Sequence, residues 1–320
     1  MNRGLATLWF LIASAWSFAC CGASPSGQPV TFGDQSNIIV WNAATKTEHF
    51  VRNAFFDTKA KDFGFIAATP TLPELSEANE HVYDLLASFE PHGIGCGAGA
   101  ANNDAPASAE AGAVDVLQQV DVGKYQATSV KSDDPAAMSA YLKQNGYASR
   151  PDLDEWVRFY TAKKWIFTAF KVRKLENTEA QTGVIRMSFK TDEPFNPYYV
   201  PSGNSGPGGT LKIYFIAEGS YYATVGHSAK WNLAAWNAPL SENAANQLMD
   251  SLKLKPSDVP KNLMVTFFQR ANWLEGAKED LYFQRDSGYG NVVFGVLVVG
   301  AGFLWWFTRS RKARALQVNS

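Results

Sequence analysis

Asn37-Ile38-Ile39-Val40-Trp41-Asn42-Ala43-Ala44-Thr45-Lys46-Thr47-Glu48-His49-Phe50-Val51-Arg52 decides how the rest of the chain reads. Residues 38–41 are β-branched or aromatic, types that suit a pleated, packed surface. Asn42-Ala43-Ala44-Thr45 interrupts the run and Glu48 to Arg52 resumes it, so the stretch predicts a β-hairpin. Asp62-Phe63-Gly64-Phe65-Ile66-Ala67 predicts a third strand, stopped by Pro70 and Pro73. Ser76 is then placed to cap a helix carrying the apolar stripe Val82, Leu85, Leu86 and Phe89, which Pro91 ends.

Residues 92–112 are nearly all Gly, Ala, Asn, Ser and Pro, with little to bury. They predict a surface loop and a possible subdomain break. Beyond it, Val114 to Val122 and Lys124 to Val130 read as strands. Asp133 or Asp134 caps a helix with Pro135 in its first turn, and Gly146 ends that helix. Trp156, Val157 and Tyr160 give a second helix around 153–160. Lys164 to Val172 is a strand rich in Trp, Ile and Phe. From Val184 to Phe189 the chain alternates, with Val184, Arg186 and Ser188 on one side and Ile185, Met187 and Phe189 on the other. Ser202 to Thr210 is a Gly-rich loop. Leu211 to Ile216 and Tyr221 to Val225 form a hairpin about Gly219-Ser220, and Leu263 to Gln269 is the last expected strand. The grouping predicts an α+β fold, with mixed or antiparallel sheets and a few packed helices, rather than a regular βαβ series.

The 320 residues carry a net charge of -1, which gives no global field for nucleic acid. Hydrophobic residues at 46% and aromatics at 13% are ample for a packed core. Charged residues, 18%, are diluted by two apolar segments at the ends. At the start, Met1-Asn2-Arg3, a largely apolar run from Leu5 to Trp16 and Ser17-Phe18-Ala19 have the parts of a signal peptide, residues 1–19, with lipidation of Cys20 as the alternative to ordinary cleavage. At the end, every residue from Val292 to Phe307 is apolar or Gly, with Trp305 and Trp306 where an aromatic belt sits. Residues 289–308 are therefore expected to be a transmembrane helix. Arg309, Arg311, Lys312 and Arg314 make the tail 309–320 basic and orient it to the cytoplasm. The expected address is the bacterial cytoplasmic membrane, single-pass, with an extracytoplasmic domain 20–288 and the lipid bilayer as partner of the C-terminal helix.

The cysteines are Cys20, Cys21 and Cys96. Neighbouring cysteines bridge poorly, so a disulfide from one of the pair, assigned as Cys21, to Cys96 is the favoured pairing in an oxidising compartment. The alternative leaves all three unbridged.

Further motifs run in order along the chain: Ile39-Val40-Trp41 with Thr47-Glu48-His49, Asp62-Phe63-Gly64-Phe65, Pro70 with Pro73-Glu74-Leu75, and Lys143-Gln144-Asn145-Gly146-Tyr147. Ser188-Phe189-Lys190-Thr191-Asp192-Glu193-Pro194, then Thr266 and Glu279-Asp280-Leu281, continue the series. In these the chain resembles a family of bacterial exported proteins known as domain of unknown function 2330. The resemblance implies an exported or anchored protein and supplies no activity.

Candidate chemistry is thin. Gly226-His227-Ser228 resembles half of a nucleophile elbow, but Lys230 stands where the second Gly belongs, and a turn is the plainer reading. His92 and Cys96 have the spacing of two metal ligands on a helix, which Gly93 and Gly95 disfavour. His49 is a possible general base beside Glu48. Asp62, Asp192, Glu193 and Asp280 are acids that fit turn and cap roles better than calcium or sugar chemistry. Tyr198, Tyr199, Tyr221, Tyr222, Trp231 and Trp236 suit a binding groove or a core equally. The reading assigns no catalytic, cofactor-binding or metal-ligating residue and no cofactor. It expects a non-enzymatic binding or accessory protein of the cell envelope, with an envelope protein or small ligand as partner. The alternatives are an extracytoplasmic hydrolase and a thiol/disulfide-linked envelope protein.

Overall fold

The apolar runs read from the sequence become strands that bury both faces. A computed structural model describes residues 22–23, 31–32, 35–57, 64–90, 114–147, 151–172, 181–202, 209–231, 234–273 and 277–286. Residues 1–284 form one unit and 285–320 another, of which Arg285 and Asp286 are described.

The largest sheet has eight strands. Seven lie in the order Trp236–Pro239, Leu263–Ala271, Thr210–Glu218, Gln35–Asn42, Thr47–Asp57, Gln181–Lys190 and Glu74–Ala78, and Thr31–Phe32 pairs with Thr47–Asp57 off that path. Thr210–Glu218 and Gln35–Asn42 run parallel, whereas the flanking pairs are antiparallel, so the sheet is mixed. The hairpin at its centre turns through residues 43–46, where Asn42 Oδ1 accepts the N–H groups of Ala44 and Thr45 at 3.1 and 3.3 Å. Asn supplies a turn in this way by imitating a backbone acceptor.

A five-stranded sheet runs Gly22–Ala23, Gly64–Thr69, Ile166–Val172, Tyr125–Lys131, Asp115–Val122. A four-stranded sheet runs Phe195–Asn196, Leu281–Arg285, Tyr221–Val225, Ala229–Lys230. Four helices occur among the described residues: His81–Ala87, Pro135–Gln144, Pro151–Ala162 and Glu242–Leu252.

The side-chain register stacks these elements in layers. Ile38, Val40, Val51, Val184, Ile216 and Val265 leave one face of the large sheet and meet Val82, Leu86, Leu248 and Leu252 of helices His81–Ala87 and Glu242–Leu252. Ile39, Phe50, Met187 and Phe215 leave the other face into a second core shared with the five-stranded sheet. There the Arg52 guanidinium lies 5.8 Å from the Phe65 ring. Phe65 stacks on Phe170 at 4.5 Å, and the far face of the same sheet sends Phe167 against Trp156 of helix Pro151–Ala162 at 5.7 Å. The small sheet joins this second core through Phe283, stacked on Phe215 at 4.3 Å.

Four expectations need correction. The strands either side of Gly219-Ser220 do not pair as a hairpin, because Thr210–Glu218 joins the large sheet and Tyr221–Val225 the small one. Ser76 caps no helix, because Glu74–Ala78 pairs with the strand at Val184 to Ser188 and becomes the edge of the large sheet. The helix begins at His81, whose N–H is received by Asn79 Oδ1 at 3.0 Å. Leu263–Ala271 is followed by a further strand, Leu281–Arg285, and helix Glu242–Leu252 was not expected at all. The expected strands at residue 64 and beyond are present within one to three residues of their predicted ends, and Asp134 is the cap of helix Pro135–Gln144, accepting from the Ala136 N–H at 2.8 Å.

The leader 1–19, the three cysteines, loop 92–112 and the basic residues Arg309, Arg311, Lys312 and Arg314 all lie outside the described residues. Segment 289–308 lies outside them too. Among those described, no helix is long and apolar enough to cross a membrane.

Candidate functional site

Glu48 and His49 are neighbours in one strand, so their side chains leave opposite faces of the sheet and do not converge. Glu48 enters the core between the two sheets and is fully buried. Its Oε2 accepts the Phe195 N–H at 2.8 Å, while Oε1 has no partner among the described residues. Burial pushes its carboxyl well above the usual carboxylate range, against the smaller opposing pull of the Phe195 N–H.

His49 enters the other face, where it is 4% exposed. Its Nε2 lies 3.2 Å from the Asp258 carbonyl oxygen and its Nδ1 lies 2.8 Å from Ser188 Oγ. Ser188 stands opposite His49 in the neighbouring strand and opposite Glu74 in the strand beyond, and it is partly exposed. Burial holds the His49 ring below the usual histidine range. The Arg186 charge acts in the same direction, whereas the Asp258 carbonyl and the Asp258 and Glu74 carboxylates oppose it.

Arg186 is two residues from Ser188 on the same face. It donates to the carbonyls of Leu252 and Lys253 at 2.7 and 2.6 Å, and to Glu74 Oε1 at 3.0 Å. Those two carbonyls end helix Glu242–Leu252, where a cation satisfies groups the helix cannot and complements its dipole. The charged position inside the alternating stretch from Val184 to Phe189 therefore marks a strand-to-helix anchor.

Asp280 is also fully buried. It accepts from Tyr160 Oη at 2.6 Å, from the Tyr198 N–H at 3.0 Å and from the Tyr199 N–H at 3.3 Å. Lys163 Nζ completes the set at 2.9 Å and rests 4.3 Å from the Phe159 ring centre and 5.2 Å from that of Trp165. Burial disfavours the ammonium, but the Asp280 carboxylate outweighs it and holds Lys163 above the usual lysine range. Aromatic faces around an ammonium resemble a cation-binding cage, here filled by the chain's own lysine.

The other candidates separate. Gly226-His227-Ser228 is the turn between strands Tyr221–Val225 and Ala229–Lys230, with the exposed His227 ring stacked on Tyr282 at 4.4 Å. Asp192 is exposed and pairs with Lys46 at 2.7 Å, and Glu193 lies 3.3 Å from His227. Tyr198, Tyr199, Tyr221 and Trp231 are buried and Tyr222 and Trp236 partly so, which makes this set mainly core. Asp62, His92 and Cys96 lie outside the described residues, among which no group of three or more His, Cys, Asp and Glu is placed to hold a metal ion.

The sequence reading missed Ser188 as a partner of His49, together with Arg186, Lys163 and Tyr160. Cross-strand register and helix-to-sheet docking create those contacts, and a single strand's pattern encodes neither. Comparison with curated proteins and with solved structures finds no match. A family model does match, over residues 15–252, which is most of the chain, and the chain therefore belongs to the family described as an uncharacterized protein conserved in bacteria, DUF2330.

Proposed function

We propose that the chain is a membrane-anchored, extracytoplasmic binding or accessory protein of the bacterial cell envelope. In this reading it takes an extended segment of a second envelope protein along strand Asp115–Val122. The observation that carries it is the surface of that strand. Leu72, Val116, Leu117 and Val120 are the large apolar side chains exposed among the described residues, and three of the four belong to this strand. It stands at the end of the five-stranded sheet. Val116 lies opposite Val130 and Val120 opposite Ala127, an odd offset that sends the two valines to opposite faces. A peptide added at this edge would gain main-chain hydrogen bonds and lay alternate apolar side chains beside Val116 on one face and Val120 on the other. Asp115 and Asp121 stand near the two ends of the strand, and the exposed Val116, Leu117 and Val120 between them are the part that suits a partner. The expected leader, apolar C-terminal segment and basic tail support the envelope address.

A photo-crosslinking residue placed at the exposed Gln119 of the full-length chain tests the reading in cells. The expected result is one reproducible envelope protein captured by mass spectrometry, lost when Val116 and Val120 are replaced by Lys at unchanged protein level. Capture indifferent to those replacements, or no reproducible capture, counts against it.

A further inference from the structure

We infer that Ser188 and His49 form a nucleophile and base for hydrolysis of small carboxylic esters, an activity separate from the proposed binding edge.

The hydrogen-bond directions fix the roles. A carbonyl oxygen only accepts, so the contact between His49 Nε2 and the Asp258 carbonyl places a proton on Nε2. In the neutral ring Nδ1 then carries the lone pair, and it faces the Ser188 hydroxyl at 2.8 Å. The carbonyl does what a carboxylate does in a serine-histidine-aspartate triad: it selects the tautomer and holds the ring. The Asp258 carbonyl is itself fixed, since it also accepts from Asn42 Nδ2 at 3.1 Å. Burial keeps the imidazole neutral and so able to accept a proton at neutral pH. Both residues sit on adjacent interior strands of the large sheet, each paired on both sides, which gives the pair a rigid support.

The chemistry balances without a co-reactant other than water. Ser188 Oγ bonds to the ester carbonyl carbon as His49 Nδ1 takes the hydroxyl proton. The carbon–oxygen bond to the leaving group then breaks, and His49 returns the proton to the departing alkoxide. Water, deprotonated by the same nitrogen, releases the acid and restores the hydroxyl. The Ser188 strand is paired on both sides, so its ladder offers few free N–H groups to an oxyanion. The Arg186 guanidinium is held by the Leu252 and Lys253 carbonyls and by Glu74, so it lends this face its field rather than a free donor. Weak oxyanion support suits an ester, whose leaving group departs more readily than an amine.

The full-length protein in detergent micelles is treated with an alkyl fluorophosphonate, which phosphonylates activated serines with loss of fluoride. The adduct is then mapped by mass spectrometry. The expected result is modification at Ser188, absent in Ser188→Ala and slowed about a hundredfold in His49→Gln, the scale of a lost general base. Hydrolysis of p-nitrophenyl acetate is expected to fall in parallel in both variants. Circular dichroism and urea midpoints confirm that the variants are folded, and Ser228→Ala, at an exposed turn, serves as a labelling control. No adduct at Ser188 under conditions that label a known serine esterase overturns the inference, as does labelling unaffected by His49→Gln in the folded variant.

Discussion

At the residue scale, the adjacent Glu48 and His49 have opposite linkages to pH. Glu48 is raised by burial, so the folded state holds a proton that the unfolded chain has lost. Its stabilising contribution is complete below the unfolded value, 4.5, and declines as pH rises through the folded one. His49 is lowered, so its contribution is present above the unfolded 6.5 and is lost as pH falls through the folded value. Between these limits the two oppose each other, and single variants separate them. Glu48→Gln keeps an acceptor for the Phe195 N–H and removes the titration. The variant is expected to match the parent near pH 4 and to exceed it at pH 8 by about 1–3 kcal/mol, the range for an uncompensated buried polar group. Urea midpoints of the purified protein at both pH values measure this. A parent more stable at pH 8 than the variant would place the carboxylate in a stabilising contact instead. Gly64 makes a different point at the same scale. Its motif was visible in the sequence, but the reason was not: a Cβ there would meet the Phe170 carbonyl oxygen at 2.1 Å.

At the scale of elements, capping decides what local sequence can determine. Asp134 and Ser241 both accept a backbone N–H at a helix start, from Ala136 at 2.8 Å and Ala244 at 3.2 Å. Replacing either with Ala is expected to cost about 1 kcal/mol, whereas Ser76→Ala, on a sheet edge with no cap to lose, should stay within about 0.5 kcal/mol. Denaturation midpoints of the three variants rank them directly. An equal loss at Ser76 would mean that its hydroxyl does more than its contact with the neighbouring Glu77 carbonyl. The comparison also shows how far the fold was legible. Most strands could be read because their apolar runs are long and their turns carry Asn or Gly. Ser76 misled because a cap residue before an apolar stripe is a local signal, and pairing with Val184 to Ser188 overrode it. Helix Glu242–Leu252 carried a legible cap at Ser241 and buried residues Ala244, Leu248 and Leu252 at a spacing of four, yet its many polar residues hid it. The small sheet was harder, since strands of two residues such as Phe195–Asn196 have no periodicity to detect. Of the candidate sites, His49 was legible as a titratable residue in a strand, but its partners Ser188 and Asp258 come from register and packing.

At the scale of the whole molecule, Asp280 ties together parts far apart in sequence. Through one carboxylate, helix Pro151–Ala162 contributes Tyr160, the turn after it contributes Lys163, and the segment before the Gly-rich loop contributes the N–H groups of Tyr198 and Tyr199. The carboxylate is unexposed, while the Lys163 side chain keeps 23% exposure, so the pair is screened on one side only. Truncating a buried charge that several donors share leaves those donors without an acceptor, and one of them is a cation. Asp280→Ala is expected to cost about 3 kcal/mol, and Asp280→Asn distinctly less, because the amide oxygen still serves Tyr160 and the two N–H groups. If the ion pair with Lys163 dominated, Asn would be as damaging as Ala and Lys163→Met would share the loss. If the hydrogen bonds dominate, Lys163→Met costs less than Asp280→Ala, since three neutral donors still hold the carboxylate and the apolar stem keeps the contacts with Phe159 and Trp165. The second outcome follows from the geometry, in which three of the four donors are neutral. Urea denaturation of the three variants at pH 7 decides between them.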